Sequence, residues 1–456
     1  MSSEEENVPL FSRSNRGVSH WNRLKKSTMI IRAVVVFSIL SALATGTWLL
    51  QRYLIKGDKL DLTPLDGFCA HVNSIQPNEY TWRHKKLAQV LETENADALV
   101  MEGGASMVYY TNIEWELTER AFLVVLQLDD DEPTGIRTTI ISPAFEATRA
   151  LDSLKKANLP KEISPDIVEW LEYESPYGAL KKVFGSKSNR IIVEEDARLF
   201  VFQGIVDGLG ESDVYVAPES IRMLRMVKSE AELEIMRCAN TVTELAIRTV
   251  RPHIKVGMSE FDIQNVMKEA LHRAGLTNTW VLALVDENAA LPHGSSSEKK
   301  VTKHSTVLID TGGELLGYQS DTTRTFFMGK RGHNETIEDA WYLVRRAQEN
   351  VLNRTGAGST CAQVDLTARH IIDKGGYGKY FTHRLGHGIG LRMHDEPYMH
   401  QGNTKQFLQP GMTFSVEPGI YITNEFGIRL EDIVVVREDG KLELLTSGLA
   451  QNPWTL

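Results

Sequence analysis

A chain of 456 residues is too long for one compact core of usual size, so two domains are expected, and a composition of 42% hydrophobic and 24% charged residues without repeats is that of a folded, enzyme-like body. The net charge of -10 argues against a nucleic-acid partner, because a phosphate-binding surface needs clustered Lys and Arg. Cys69, Cys238 and Cys361 lie far apart and lack C-x-x-C spacing, which indicates neither a disulfide framework nor a thiolate zinc site; one disulfide fits, and the odd count leaves at least one thiol outside it.

In chain order, residues 1–32 read as a basic tail and residues 33–50, AVVVFSILSALATGTWLL, as an uncharged run of 18. That is about the minimum of ~17 to 18 residues that crosses a hydrocarbon core as a helix, so a single-pass transmembrane signal-anchor is expected. Arg13, Arg16, Arg23, Lys25, Lys26 and Arg32 precede the run, while Arg52, Lys56 and Lys59 follow it. The positive-inside bias keeps the N-terminus cytosolic and places the body in a lumen or outside the cell. Two other readings stay open. Ala42-Leu43-Ala44 is a cleavage-like site, which makes the protein secreted, and a core helix is disfavoured by apolarity on every face. The sequons at Asn334 and Asn353 fit export.

Residues 51–64 form a linker with Pro64, and residues 65–222 read as an α/β domain. A helix in YTWRHKKLAQVLETENADALVM runs into an apolar strand, and further strands are expected at 121–128, 138–143 and 190–195. From 223 to 456 the pattern becomes α+β, with longer amphipathic helices on antiparallel sheet. Ser229 and Glu232 form a capping box for a helix facing inward with Ile235, Ala239, Val242, Ala246 and Val250. Ser259 opens a second helix that stops at Gly275, and a third follows Thr336 with Ile337, Ala340, Val344, Ala347 and Val351 on one face.

The chemistry is concentrated in the second half. In TVLIDTGGELLGYQSDTTRTFF, residues 306–327, two β-like runs flank a Gly-rich reversal and each delivers an aspartate, so a hairpin brings Asp310 and Asp321 side by side. Glu417 sits in the apolar strand MTFSVEPGIYI and Glu431 in IRLEDIVVV. Burying unpaired carboxylates is costly, and bound cations compensate it. Four carboxylates and one imidazole make an oxygen-rich set too large for one tetrahedral zinc and suited to two divalent ions with bridging carboxylates. Manganese, cobalt, zinc and iron all fit such a set. A pair of ions acidifies a shared water for attack on a carbonyl, so hydrolysis is the expected chemistry.

The ordered set PHG at 292–294, D-x10-D at 310 and 321, H-x3-H-x6-H at 383, 387 and 394, VEPG at 416–419 and R-x-E-D at 429–432 resembles the pita-bread metallopeptidases. Within them it is most similar to Xaa-Pro dipeptidase (prolidase) and aminopeptidase P. The resemblance covers about residues 65–445, since that family also carries an α/β creatinase-like N-terminal domain, and RMLRMVKSEAELEIMRCA resembles its passage into the catalytic domain. It implies Asp310 on one metal, His387 and Glu417 on the other, Asp321 and Glu431 bridging both, and manganese as the first choice of ion. Glu417 is then also the proton shuttle, His293 and His394 contact substrate, His383 supports them, and Arg429 braces the ligand shell. Glycines flanking His387 favour close backbone approach. The resemblance further implies proline-containing dipeptides or short peptides as substrates and a homodimer. The short segment from His394 to Gly411 lacks an insertion found in some prolidases, so dipeptidase and aminopeptidase both stay open. A lyase-like metal enzyme or a peptide-binding scaffold on the same fold are the alternatives.

Overall fold

The computed structural model describes residues 60–185, 189–210, 212–294, 298–329 and 334–455. Its N-terminal half is a six-stranded mixed sheet of β1 (Ala98–Met101), β2 (Leu123–Leu128), β3 (Ile136–Pro143), β4 (Asp166–Trp170), β5 (Arg190–Val193) and β6 (Asp213–Val216), in the order β4-β3-β2-β1-β5-β6. Strand alternation sorts side chains to two buried faces. Leu99, Met101, Val124, Leu126, Ile140 and Ile192 join one apolar cluster, and Ala98, Val100, Leu123, Val125, Ile141, Ile191 and Val193 the other. Helix Pro77–Thr93 starts with proline at its first turn and buries Tyr80, Arg83, His84, Leu87, Ala88 and Leu91, the three-to-four spacing of one helical face. The strands expected at 121–128, 138–143 and 190–195 occur with shifted ends, while β4 and β6 had no expected counterpart.

Among the described residues the C-terminal half holds three antiparallel assemblies. The first has the order β10-β8-β7, formed by β7 (Thr277–Val285), β8 (Thr306–Leu315) and β10 (Thr322–Phe327), with β9 (Tyr318–Gln319) paired on β8. The second is five-stranded, β12-β11-β13-β16-β17, built from β11 (Gly386–Gly388), β12 (Asp395–Met399), β13 (Thr413–Val416), β16 (Asp432–Val436) and β17 (Leu442–Leu444). The third pairs β14 (Gly419–Ile422) with β15 (Phe426–Arg429).

Helices pack on these sheets as expected of an α+β unit. The Ser229–Glu232 capping box is closed at both hydrogen bonds and starts helix Glu230–Val250; Ser259 and Asp262 do the same for helix Glu260–Arg273. The third helix, Glu335–Arg354, is capped by Asn334 and so begins just before the expected position. Trp341 on that helix is fully buried and donates its indole N–H to Thr325 O at 2.8 Å, fastening the helix to β10. Cys69 and Cys238 form a disulfide with Cα atoms 5.9 Å apart, tying the segment ahead of the first sheet to helix Glu230–Val250, while Cys361 is a buried free thiol.

The membrane placement is corrected. Among the described residues no helix is long and apolar enough to cross a membrane. The longest, Glu230–Val250, carries Glu232, Glu234, Arg237, Glu244 and Arg248, and buries its apolar face within the protein. The run at 33–50 lies outside the described residues, so the anchor, and the lumenal or extracellular location that rested on it, have no structural support.

Candidate metal and active site

The hairpin foreseen for the two aspartates is built by β8, β9 and β10. Leu315 pairs with Tyr318, leaving Leu316 and Gly317 as a two-residue turn with φ of 50° and 87°, the left-handed pair that matches strand twist. Asp310 stands opposite Thr323 across the ladder. Gly312 allows the strands to close, since a Cβ there would lie 1.9 Å from Ser320 O. Asp321 follows immediately; its N–H donates to Asn240 Oδ1 on helix Glu230–Val250 at 3.1 Å.

The other candidates arrive from the neighbouring strands. His387 lies in β11, where a Cβ on Gly386 would lie 1.9 Å from Ser415 O, so glycine there lets the backbones meet. Its Nδ1 is 3.0 Å from Gly388 O, which fixes the proton on Nδ1 and turns the Nε2 lone pair inward. Nε2 lies 3.5 Å from Glu417 Oε1 and 3.7 Å from Asp321 Oδ2. Glu417 sits between β13 and β14 and accepts from Ser415 Oγ at 3.1 Å. Glu431, between β15 and β16, donates its N–H to Thr323 O at 3.0 Å. One ligand atom each from Asp321, His387 and Glu431 fall within 4.8 Å of one another.

Such crowding of carboxylates has an electrostatic consequence. Burial, then Glu431, Asp310 and Glu417, hold the Asp321 carboxyl well above its ordinary range; burial, then Glu417 and Asp310, do the same to Glu431. Burial pushes Glu417 up to about 7 and the His387 imidazole down to about 3, so His387 is a neutral ring. Asp321 Oδ1 is buried without a hydrogen-bond partner among the described residues. A buried, unpartnered carboxylate oxygen beside three more carboxylates and one neutral imidazole is a donor set that fits hard divalent cations.

Arg429 is the buried counter-charge. Its Nη2 pairs with Asp310 Oδ2, its Nη1 donates to Tyr421 OH at 3.1 Å and its Nε to Thr323 Oγ1 at 3.1 Å. Thr323 Oγ1 is 2.9 Å from Asp310 Oδ1 and 2.6 Å from Glu431 Oε2, so its single proton serves one carboxylate at a time. His383 joins through Tyr421, with Nε2 2.8 Å from the phenol oxygen, while its Nδ1 lies 2.6 Å from Arg384 O. Burial and the nearby Arg429 lower the His383 imidazole to about 3. His394 is exposed, with its ring 4.4 Å from that of His387. His293 is exposed as well. All nine candidate residues line one cavity of about 930 Å³, whose remaining wall is Trp280, Leu282, Pro292, Gln319, Arg384 and Met393.

Sequence reasoning missed Tyr421, Thr323 and Asn240. A tyrosine in the apolar strand GIYI just after Glu417 was a usable signal, because a buried phenol needs a partner.

Residues 234–438 match metallopeptidase family M24, and residues 83–227 match the creatinase/prolidase N-terminal domain. An uncharacterized peptidase of Schizosaccharomyces pombe is 37% identical over 391 residues, spanning 84% of this chain and 84% of its own length. The chain belongs to metallopeptidase family M24. Among further M24 relatives, the probable dipeptidase PepE of Mycobacterium tuberculosis is 32% identical over 348 residues, 76% of this chain and 89% of its own. The crystal structure of dipeptidase PepE from Mycobacterium ulcerans superposes with a TM-score of 0.74 at 28% identity, covering 82% of this chain and 98% of that one. The prolidase of Thermococcus sibiricus gives 0.70 at 27% identity, covering 83% and 99%. The X-Pro aminopeptidase of Thermotoga maritima gives 0.68 at 27%, covering 81% and 99%. This M24 chain is therefore a peptidase of a metal-dependent family, with the pita-bread catalytic fold behind a creatinase-type N-terminal domain.

Proposed function

We propose that this M24 peptidase hydrolyses the bond preceding proline, releasing the N-terminal residue of a dipeptide or short peptide with two divalent ions, manganese first among them. The observation that carries the proposal is the convergence of Asp310, Asp321, His387, Glu417 and Glu431 on one cavity with too few cationic partners of their own. The proline preference is supported by the solved relatives, which include a prolidase and an X-Pro aminopeptidase. Residues 65–222 are assigned to the N-terminal domain and 223–456 to the catalytic one.

In this reading Asp310 would hold one ion, His387 and Glu417 the other, with Asp321 and Glu431 serving both. Two bound ions supply Lewis acidity and a water that ionises near neutral pH. Glu417 takes the proton of the attacking water and passes it to the leaving proline nitrogen, with Ser415 Oγ steadying Oε1. His394 and His293 donate to the substrate carbonyl and its flanking groups from the open side of the cavity. Arg429 keeps Asp310 in place and, through Tyr421, orients His383. The bond before proline has no N–H for an extended-strand peptidase to grip, so selection by ring shape in the cavity is the workable route.

The test is release of alanine from Ala-Pro, Ala-Pro-Ala and Ala-Ala by the metal-stripped chain with and without Mn²⁺, beside Asp321→Ala. Metal-dependent cleavage of the proline peptides, absent in the variant, supports the reading, and the ratio of the first two substrates separates dipeptidase from aminopeptidase. If the folded, metal-loaded chain cleaves none of the three, the site belongs to a lyase-like enzyme or a binding scaffold.

A further inference from the structure

His394 has no hydrogen-bond partner among the described residues; its ring lies 4.4 Å from that of His387. Its place in the cavity is therefore set by its backbone. That backbone belongs to an excursion between β11 and β12, where the pairing slips after His387 and Gly388 stands opposite Asp395. An irregular segment of this kind needs anchors from outside its own sheet.

Beside Gln319 N–H, which donates to Gly390 O at 2.8 Å, and Thr413 Oγ1, which donates to Ile389 O at 2.6 Å, further anchors come from the N-terminal half and from helix Glu219–Met226, which leads into the catalytic half. Leu391 packs against the apolar cluster of the first sheet, and Arg392 pairs with Asp196 just after β5. Asp395, the residue after His394, is buried and accepts from Arg225 Nη2 at 3.2 Å. Arg225 is itself buried, and its other arm, Nη1, reaches Ser106 Oγ at 2.7 Å and Glu194 Oε1 at 3.2 Å. Ser106 in turn hydrogen-bonds Glu194. One turn earlier on the same helix, Arg222 Nε donates to Glu396 Oε2 at 3.1 Å. The planar guanidinium thus spans two carboxylates from different halves of the protein, a geometry lysine does not reproduce.

We infer that Arg225 is a positioning residue for His394, acting through Asp395, and that Ser106 and Glu194 of the N-terminal half hold Arg225 to that task. The inference rests on the peptidase reading only for what His394 does once in place. It gives the N-terminal half a part in the reaction: one wall of the substrate cavity is aimed from it.

The test is a double-mutant cycle in the full chain with Asp395→Asn, which keeps the side-chain shape, and Arg225→Lys, each alone and combined with His394→Ala. Each single variant is expected to lose roughly tenfold to a hundredfold in kcat/KM on Ala-Pro with wild-type metal content, and to lose less than about twofold more once His394 is already alanine. An equal loss in both backgrounds overturns the inference, because a merely structural defect does not depend on His394. A second readout needs no turnover: the rate at which diethyl pyrocarbonate modifies His394, followed by peptide mass. A change of about threefold or more in Asp395→Asn supports the inference, and an unchanged rate overturns it. If the wild type cleaves no peptide, the peptidase reading fails while the modification rate still decides the positioning.

Discussion

Glu417→Gln is expected to stabilise the metal-free protein while abolishing turnover. Burial, with Asp310 adding and Arg429 and Ser415 opposing, raises the Glu417 carboxyl from its ordinary 4.5 to about 7. A tenfold change in proton affinity is worth about 1.4 kcal/mol, so the ionised side chain costs the folded, metal-free state about 3 kcal/mol above pH 7. The sign follows from linkage. Below the ordinary value both states carry the proton and the carboxyl does no harm; between 4.5 and about 7 the unfolded chain ionises first, and stability falls. The amide has no proton to lose, so its advantage is absent near pH 4.5 and complete by about pH 8. With an unfolding entropy of roughly 2 cal/mol/K per residue over about 400 residues, this corresponds to about 4 °C in Tm. Calorimetry in EDTA across that pH range reads it directly. Added Mn²⁺ should reverse the order, because the wild type gains binding energy that the variant has lost. A variant that melts at or below wild type near pH 8 in EDTA refutes the reasoning.

Other perturbations probe separate parts of the account. Tyr421→Phe removes the hydroxyl between His383 and Arg429 and should lower kcat about tenfold with metal content unchanged, by steady-state kinetics and metal analysis. Gly312→Ala drives a Cβ to 1.9 Å from Ser320 O, so it should part the strands bearing Asp310 and Asp321 and lose both metal binding and about 3 kcal/mol of stability in denaturant titration. Cys69→Ser opens a link between residues 169 apart and should cost about 2 to 4 kcal/mol in the same titration. Turnover per folded Cys69→Ser molecule should stay within about twofold of wild type.

Glu417 and Glu431 were legible because each interrupts an apolar β-run where burial is demanded. Asp310 and Asp321 were legible as a pair because the hairpin that joins them is written in its glycines. Helix starts were legible for a similar local reason, since Ser229 and Ser259 carry their capping partners within one turn. What escaped depends on distant parts of the chain. Edge strands β4, DIVEW, and β6, DVYV, are short and half-exposed, so neither shows a clean alternation. Cys69 finds Cys238 only through the packing of its segment on helix Glu230–Val250. Arg225 reads as one more charge on an amphipathic helix until Glu194 and Asp395 close around it from both sides. The uncharged run at 33–50 was a strong local pattern, yet location does not follow from it, because no described helix supports a membrane span.

The most direct measurement is a titration of the metal-stripped chain with Mn²⁺, counting bound ions per chain by mass spectrometry while following hydrolysis of Ala-Pro. A rate that climbs until two ions are bound, with Asp321→Asn binding fewer and turning over none, is the predicted result. Full activity in the stripped chain, or activity untouched by Asp321→Asn, would contradict the account.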